Sequence, residues 1–355
     1  MPMKEKAAFL CTSIACLSIM VLSCSERRDN DAIHVRLDSA ETLVLNSEVS
    51  QCVSISSQDV LLGNIMYGKS YGNVLFLYND SKRCLYQVED STAFVVLDKV
   101  GRGPGEYIDI GAFTYLPETG ELVIFERASR SLRFYIDGEM TRQIQLDFYV
   151  NGMEAFAPNH LLLAKEASYS GDPAYIVDYE LSTRKEKQVL SLREDQIELF
   201  TDVSFYNSNG TIYFGISGRT LDIYSYGEDL QKIASVGFSP NSLGRRYWDG
   251  NFNERKENIL IEALQSGTGH VALAPCLLLV SDERIYFWYA TGDAIYTHNL
   301  PDRSLCIIEN DSVKLYQRVL DSTDKTSDFQ PIAVWEDSFI SIEDEDRISI
   351  IKYSI

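Results

Sequence analysis

Histidine is scarce in this chain, with His34, His160, His270 and His298 the only four in 355 residues. No two of them stand at metal-ligand spacing. Neither a His-Glu-x-x-His signature nor a Gly-x-Ser-x-Gly elbow occurs, so zinc-protease and α/β-hydrolase chemistry have no motif to rest on. None of the seven cysteines falls in a Cys-x-x-Cys pair, which argues against a structural zinc site. Basic residues are few: 32 Lys and Arg face 52 Asp and Glu, a net charge of −20. A general nucleic-acid binder needs a basic footprint, so nucleic acid is not expected as a partner. An excess of this sign suits solubility and permits cationic ligands or divalent metals without demanding them.

A long apolar run occurs only at the N-terminus. Lys4 and Lys6 supply a positive start, the stretch from Ala7 to Leu22 is largely apolar, and Ser23 is a small residue at a cleavage point. That is the layout of a signal peptide over residues 1–23, and the run is short for a permanent transmembrane helix. Val21-Leu22-Ser23-Cys24 resembles a bacterial lipobox. The resemblance implies that Cys24 is lipidated and becomes the mature N-terminus, held in a membrane leaflet by several acyl chains. Ser25, and not Asp, follows the cysteine, which favours the outer membrane, facing either the periplasm or the outside. Residues 24–40 read as a polar tether. Cys52, Cys84, Cys276 and Cys306 remain downstream, an even number that permits disulfides in an exported protein, with three possible pairings.

From residue 41 to 355 the chain is rich in Tyr and Phe and alternates apolar with polar residues, as strands do. Asn73–Tyr78 and Arg83–Val88 read as a hairpin around Asn79-Asp80, and Ala93–Leu97 follows. The next round runs Ala112–Tyr115, Glu121–Phe125, Arg133–Ile136 and Arg142–Leu146, with Asp137-Gly138 as a tight turn. Further rounds span Glu154–Leu190, Val203–Val236 and Cys276–Ile308, the last including Ala294–His298. A partial round covers Ile332–Trp335, Ser338–Ile342 and Ile348–Tyr353. Rounds of roughly 40 to 55 residues with about four strands each are the signature of a β-propeller, and a pair of sandwiches would not space its strands so evenly. The expected fold is therefore all-β, a six-bladed β-propeller with N- and C-terminal strands closing the ring. Residues 251–265 break the rhythm. They predict a short helical insertion between blades 4 and 5, ended by the Gly-containing stretch 266–269.

Between the first two rounds lies Gly101-Arg102-Gly103-Pro104-Gly105-Glu106-Tyr107. Three glycines and a proline fix a tight, specified backbone path. With the preceding hairpin, the following strand and the Cys24 motif, it resembles the six-bladed β-propeller lipoproteins of gut anaerobes, relatives of the NHL-repeat propellers. The resemblance is sharpest from about Ser54 to Leu146. It implies architecture and address more than activity.

Two readings of the loop stay open: an anion cradle built from successive amides with Arg102 beside it, and a blade-to-blade turn. Glu106 either satisfies loop amides or binds outward. Arg127, Arg130 and Arg133 cluster downstream and suit bidentate contact with carboxylates or sugar acids; a solvated turn is the plainer reading. The expected ligand contacts are Arg102, Glu106, Tyr107, Arg127 and Arg130. Glu343-Asp344-Glu345-Asp346 lacks the order and glycine of a calcium loop. The sequence points to a noncatalytic binding module without a cofactor, recognising an envelope glycan, peptide or protein. The alternative is a lactonase-like hydrolase or lyase with Ca²⁺ in the central channel.

Overall fold

The strand Glu121–Glu126 is buried along its whole length, whereas Glu139–Gln145, two strands away in the same sheet, is mostly exposed. A strand is covered on both faces only when sheets stack on both sides of it. In this sheet burial falls from the inner strands to the outer one, as stacking around a common axis requires. The computed structural model describes residues 32–36, 41–44, 65–89, 92–166, 174–192, 203–208, 210–216, 221–237, 273–281, 284–291, 303–309, 312–317, 331–335 and 338–341.

Two short strands come first, β1 (Ile33–Arg36) and β2 (Glu41–Val44). Blade 1 holds β3 (Ile65–Tyr71), β4 (Val74–Asn79), β5 (Cys84–Glu89) and β6 (Thr92–Leu97). Blade 2 holds β7 (Ile110–Leu116), β8 (Glu121–Glu126), β9 (Ser131–Ile136) and β10 (Glu139–Gln145). Blade 3 holds β11 (Val150–Ala157), β12 (His160–Lys165), β13 (Tyr175–Glu180) and β14 (Lys185–Ser191). Blade 4 holds β15 (Val203–Ser208), β16 (Thr211–Ile216), β17 (Leu221–Tyr226) and β18 (Leu230–Gly237). Blade 5 holds β19 (Leu273–Ser281), β20 (Arg284–Thr291), β21 (Arg303–Glu309) and β22 (Ser312–Gln317). In sixth position stand β23 (Pro331–Trp335) and β24 (Ser338–Ser341), a two-stranded sheet among the described residues.

Each of the first five blades is an antiparallel meander in sequence order. The first strands of the blades line the inside. There β7 packs on β11, β11 on β15, β15 on β19, β19 on β23, and β23 on β3. The circle closes between β3 and β7, where the Tyr71 and Thr114 hydroxyls lie 2.9 Å apart and the Tyr67 ring stacks on Phe113 at 5.2 Å. The core is interlayer: one apolar cluster runs through blades 1 to 3, another joins blades 3 and 4, and a third joins blades 4 and 5.

The hairpin pairing about Asn79-Asp80 is as expected, and Asp137 and Gly138 carry the positive φ values, 50° and 76°, of a mirror-image hairpin turn. Other details differ. β1 lies inside the stretch read as a tether and pairs in parallel with β18, while β2 pairs in parallel with β22. The described N-terminal strands thus extend the outer edges of blades 4 and 5, and the C-terminal sheet beside β3 fills the ring. β3 and β22 were not anticipated, because Gly68, Lys69 and Ser70 dilute the first and Lys314 and Gln317 the second. Cys84 is a free, buried thiol, which rules out a disulfide scheme that uses all four downstream cysteines. The expected helical insertion at 251–265, the strands Ala294–His298 and Ile348–Tyr353, and the acidic run at 343–346 lie outside the described residues.

Candidate functional site: a mixed-charge groove at the first blade crossover

Meander parity decides which loops share a face. In a four-stranded meander the turn between the second and third strands lies at the same end as the exit of the fourth. The β4–β5 turn, the β6–β7 crossover, the β8–β9 turn and the β10–β11 crossover therefore meet on one face, called here the crossover face.

The glycine-rich loop is the β6–β7 crossover, and it satisfies itself. Gly101 N donates to Tyr107 O at 2.8 Å, Tyr107 N to Lys99 O at 3.0 Å and Glu106 N to Gly103 O at 3.1 Å. The Glu106 carboxylate folds back and accepts the Gly103 amide at 2.5 Å. A Cβ on Gly101 would stand 2.0 Å from Glu106 Oε2, and one on Gly103 2.9 Å from its Cδ. These glycines make room for a carboxylate. Gly105 has a different role, with φ at +79°, the left-handed region that glycine enters without strain. Of the two readings left open for Glu106, the internal one holds: the loop supplies its own anion.

Tyr107 is wholly buried. Its hydroxyl donates to Arg83 O at 2.6 Å and Leu97 O at 3.2 Å, and burial pushes the phenol well above its ordinary range. It belongs to the scaffold, a correction to its reading as a ligand contact. The arginine cluster also divides. Arg133 turns inward, donating to the Glu106 carbonyl with its Nη2 3.6 Å from Glu126, while Arg127 and Arg130 are exposed. Arg102 is exposed on the crossover loop. Cys24 lies outside the described residues.

Beside that loop a groove of about 640 Å³ opens between the β4–β5 and β8–β9 turns. Asp80, Ser81 and Arg83 form one wall, Arg127 and Ala128 the other, with Ile108 and Asp109 from the crossover between them and Tyr149 at one end. Gly111 gives Arg127 its position: a Cβ there would meet Arg127 Nε at 3.1 Å and the Phe125 ring at 3.0 Å. Arg130 lies over the Tyr149 ring, 5.7 Å from its centroid. Sequence reasoning missed Asp80, Arg83, Asp109 and Tyr149. One signal was available: Asp80-Ser81-Lys82-Arg83 and Arg127-Ala128-Ser129-Arg130 occupy equivalent turns of blades 1 and 2. Arg83 and Arg130 both close those turns at φ 53°.

A second polar group lies on the inner strands. Lys69 from β3 reaches Glu154 Oε2 on β11 at 2.9 Å and also donates to Met153 O. The Thr114 hydroxyl on β7 donates to Glu154 Oε1 at 3.3 Å, and Asn207 on β15 donates to Ala155 O at 2.7 Å. These contacts tie four blades together and hold Glu154, a channel-side carboxylate, in a closed network. Among the described residues no group of three or more His, Cys, Asp or Glu is placed to hold a metal ion.

A closed ring of radially stacked meanders defines a β-propeller. Residues 28–263 match the model of the DUF5128 family, described as a 6-bladed beta-propeller, and the chain belongs to that family. Two solved structures share the fold. A candidate exported protein of Bacteroides fragilis superposes with a TM-score of 0.59 at 15% identity, over 81% of this chain and 80% of that one. A DUF4221 family member from Bacteroides vulgatus gives 0.56 at 12% identity, over 87% of this chain and 97% of that one. No curated protein matches the chain by sequence.

Proposed function

We propose that this chain is an outer-membrane lipoprotein, anchored through Cys24, whose propeller is a noncatalytic binding module. The crossover-face groove is its recognition surface, with Arg127 and Arg130 in it or at its end and Arg102 on the neighbouring loop. The observation that carries the reading is the state of the groove's charges. Arg127 and Asp109 line one cavity, yet among the described residues neither side chain makes a hydrogen bond or ion pair. Charged groups held on a scaffold without internal partners are available to an incoming ligand. The signal-like N-terminus and the Val21–Cys24 motif support the address. So does the fold shared with a candidate exported protein of Bacteroides fragilis.

The test is a thermal-shift screen of the mature chain and of Arg127→Ala against envelope glycans, short peptides and divalent ions. A ligand present at a hundred times its Kd should stabilise the native chain by about 2.7 kcal/mol, and the Arg127→Ala shift should be smaller. Stabilisation by every ligand alike in both proteins would remove the groove from the reading. Stoichiometric Ca²⁺ in the purified chain would favour the channel hydrolase instead. Cys24→Ser should move the protein from the detergent phase to the aqueous phase in a two-phase extraction.

A further inference from the structure

We propose that the groove takes a sugar acid: a glycan unit with one carboxylate, neighbouring hydroxyls and an apolar ring face. The inference rests on the groove being the binding surface, as proposed above, and names what it recognises. Three chemistries converge there. The first is a carboxylate site. Arg127 has no internal partner for its guanidinium among the described residues, and Arg83 commits only Nη1, to Ile108 O at 3.2 Å. Planar guanidinium forks bind carboxylates bidentately, with direction as well as strength.

The second is a pair of hydroxyl acceptors. Among the described residues the Asp109 carboxylate makes no hydrogen bond or ion pair, and Asp80 has a long contact of 3.5 Å from the Tyr78 hydroxyl. Sugar hydroxyls donate to such carboxylates without bringing a second charge. The third is an aromatic platform. Tyr149 is 42% exposed, an apolar plate that Arg130 braces at 5.7 Å.

Charge selects among ligands that could use these groups. Arg83, Arg127 and Arg130 stand against Asp80 and Asp109, a local excess of one positive charge. A single carboxylate neutralises it. A polyphosphate would crowd several charges into the space where one sugar unit places a single carboxylate, in a protein whose net charge is already −20. A peptide amine on the aspartates would meet three arginines.

The experiment is isothermal titration calorimetry of the mature chain with trigalacturonate and, in parallel, with the neutral galactose trimer. The acidic trimer should bind at least roughly tenfold tighter, and Arg127→Ala should remove most of that difference. Arg127→Lys should restore only part, since an ammonium keeps the charge and loses the fork. Tyr149→Ala should weaken both trimers. Equal affinity for the two trimers, or no heat with trigalacturonate at millimolar concentration, overturns the sugar-acid assignment. If an acidic peptide then binds in an Arg127-dependent way, the groove survives and only the ligand class fails. Trigalacturonate binding indifferent to both Arg127→Ala and Tyr149→Ala would remove the groove as well. Arg127 is exposed and its side chain makes no hydrogen bond or ion pair among the described residues, so its variants should melt like the native chain.

Discussion

At Gly101 the side chain that matters belongs to another residue. The backbone there does not need the left-handed region, so alanine is conformationally acceptable; what it meets is Glu106 Oε2, 2.0 Å from the added methyl. The carboxylate would have to leave the Gly103 amide. Gly101→Ala should therefore cost about 1–3 kcal/mol, the worth of a half-buried hydrogen bond to a charged group. Glu106→Ala should cost a similar amount. The two should not add: with the carboxylate gone the methyl has space, and a double-mutant cycle in urea melts should show coupling of about 1 kcal/mol or more. Additive losses would mean that the glycine answers to its own backbone. This arrangement was only half legible in the sequence. Glycine spacing announces a tight turn, but that a carboxylate three residues on fills the turn is a matter of how the chain folds back. The arginine cluster misled for a related reason: Arg127, Arg130 and Arg133 are close in sequence, and a turn followed by a strand sends Arg133 inward and leaves the other two outside.

Between elements, Glu126 is the joint. It closes β8, is 1% exposed, and accepts from Ser129 N at 2.6 Å, Ala128 N at 3.3 Å and Ile108 N at 3.3 Å. One carboxylate thus holds the β8–β9 turn and docks the crossover against it. Burial alone would push its titration up, but hydrogen bonds from Ser129 and Ile108, with Arg133 close by, outweigh burial and hold it below the ordinary value of 4.5. A lowered folded value stabilises the protein above the unfolded range, and that contribution is lost as pH falls through the folded value. Melting temperature should be level near neutrality and fall below about pH 4.5. Glu126→Gln should lower the neutral plateau and flatten the acid limb. An acid limb unchanged in Glu126→Gln would place the lost stability on other carboxylates. Elements themselves were well announced where apolar residues run together, as at β4 and β8, and poorly where inner strands carry polar residues toward the axis, as at β3.

Over the whole molecule, the inner contacts decide how the ring holds together. Lys69 and Glu154 come from blades 1 and 3, with side-chain exposures of 17% and 4%. Removing one partner strands a charge away from water, which costs about 3–5 kcal/mol for a buried pair. Lys69→Met should unfold at markedly lower urea, and Lys69→Met with Glu154→Gln should recover part of the loss. A single variant as stable as the parent would show that blade stacking alone closes the ring. No local pattern in the sequence announces this pair, since its partners lie 85 positions apart and meet only once three blades have stacked.

The direction of β1 carries further than its four residues suggest. β1 runs parallel to β18, and β18, as the last strand of its meander, runs toward the crossover face. The chain must then enter β1 from the other side. Cys24 precedes Ile33 by nine residues, a reach of roughly 30 Å at full extension. For a chain tethered at Cys24, as proposed, the bilayer lies on the entry side and the groove looks away from it. A polymer too large to slip beneath the molecule would still find Arg127 and Tyr149 in the open.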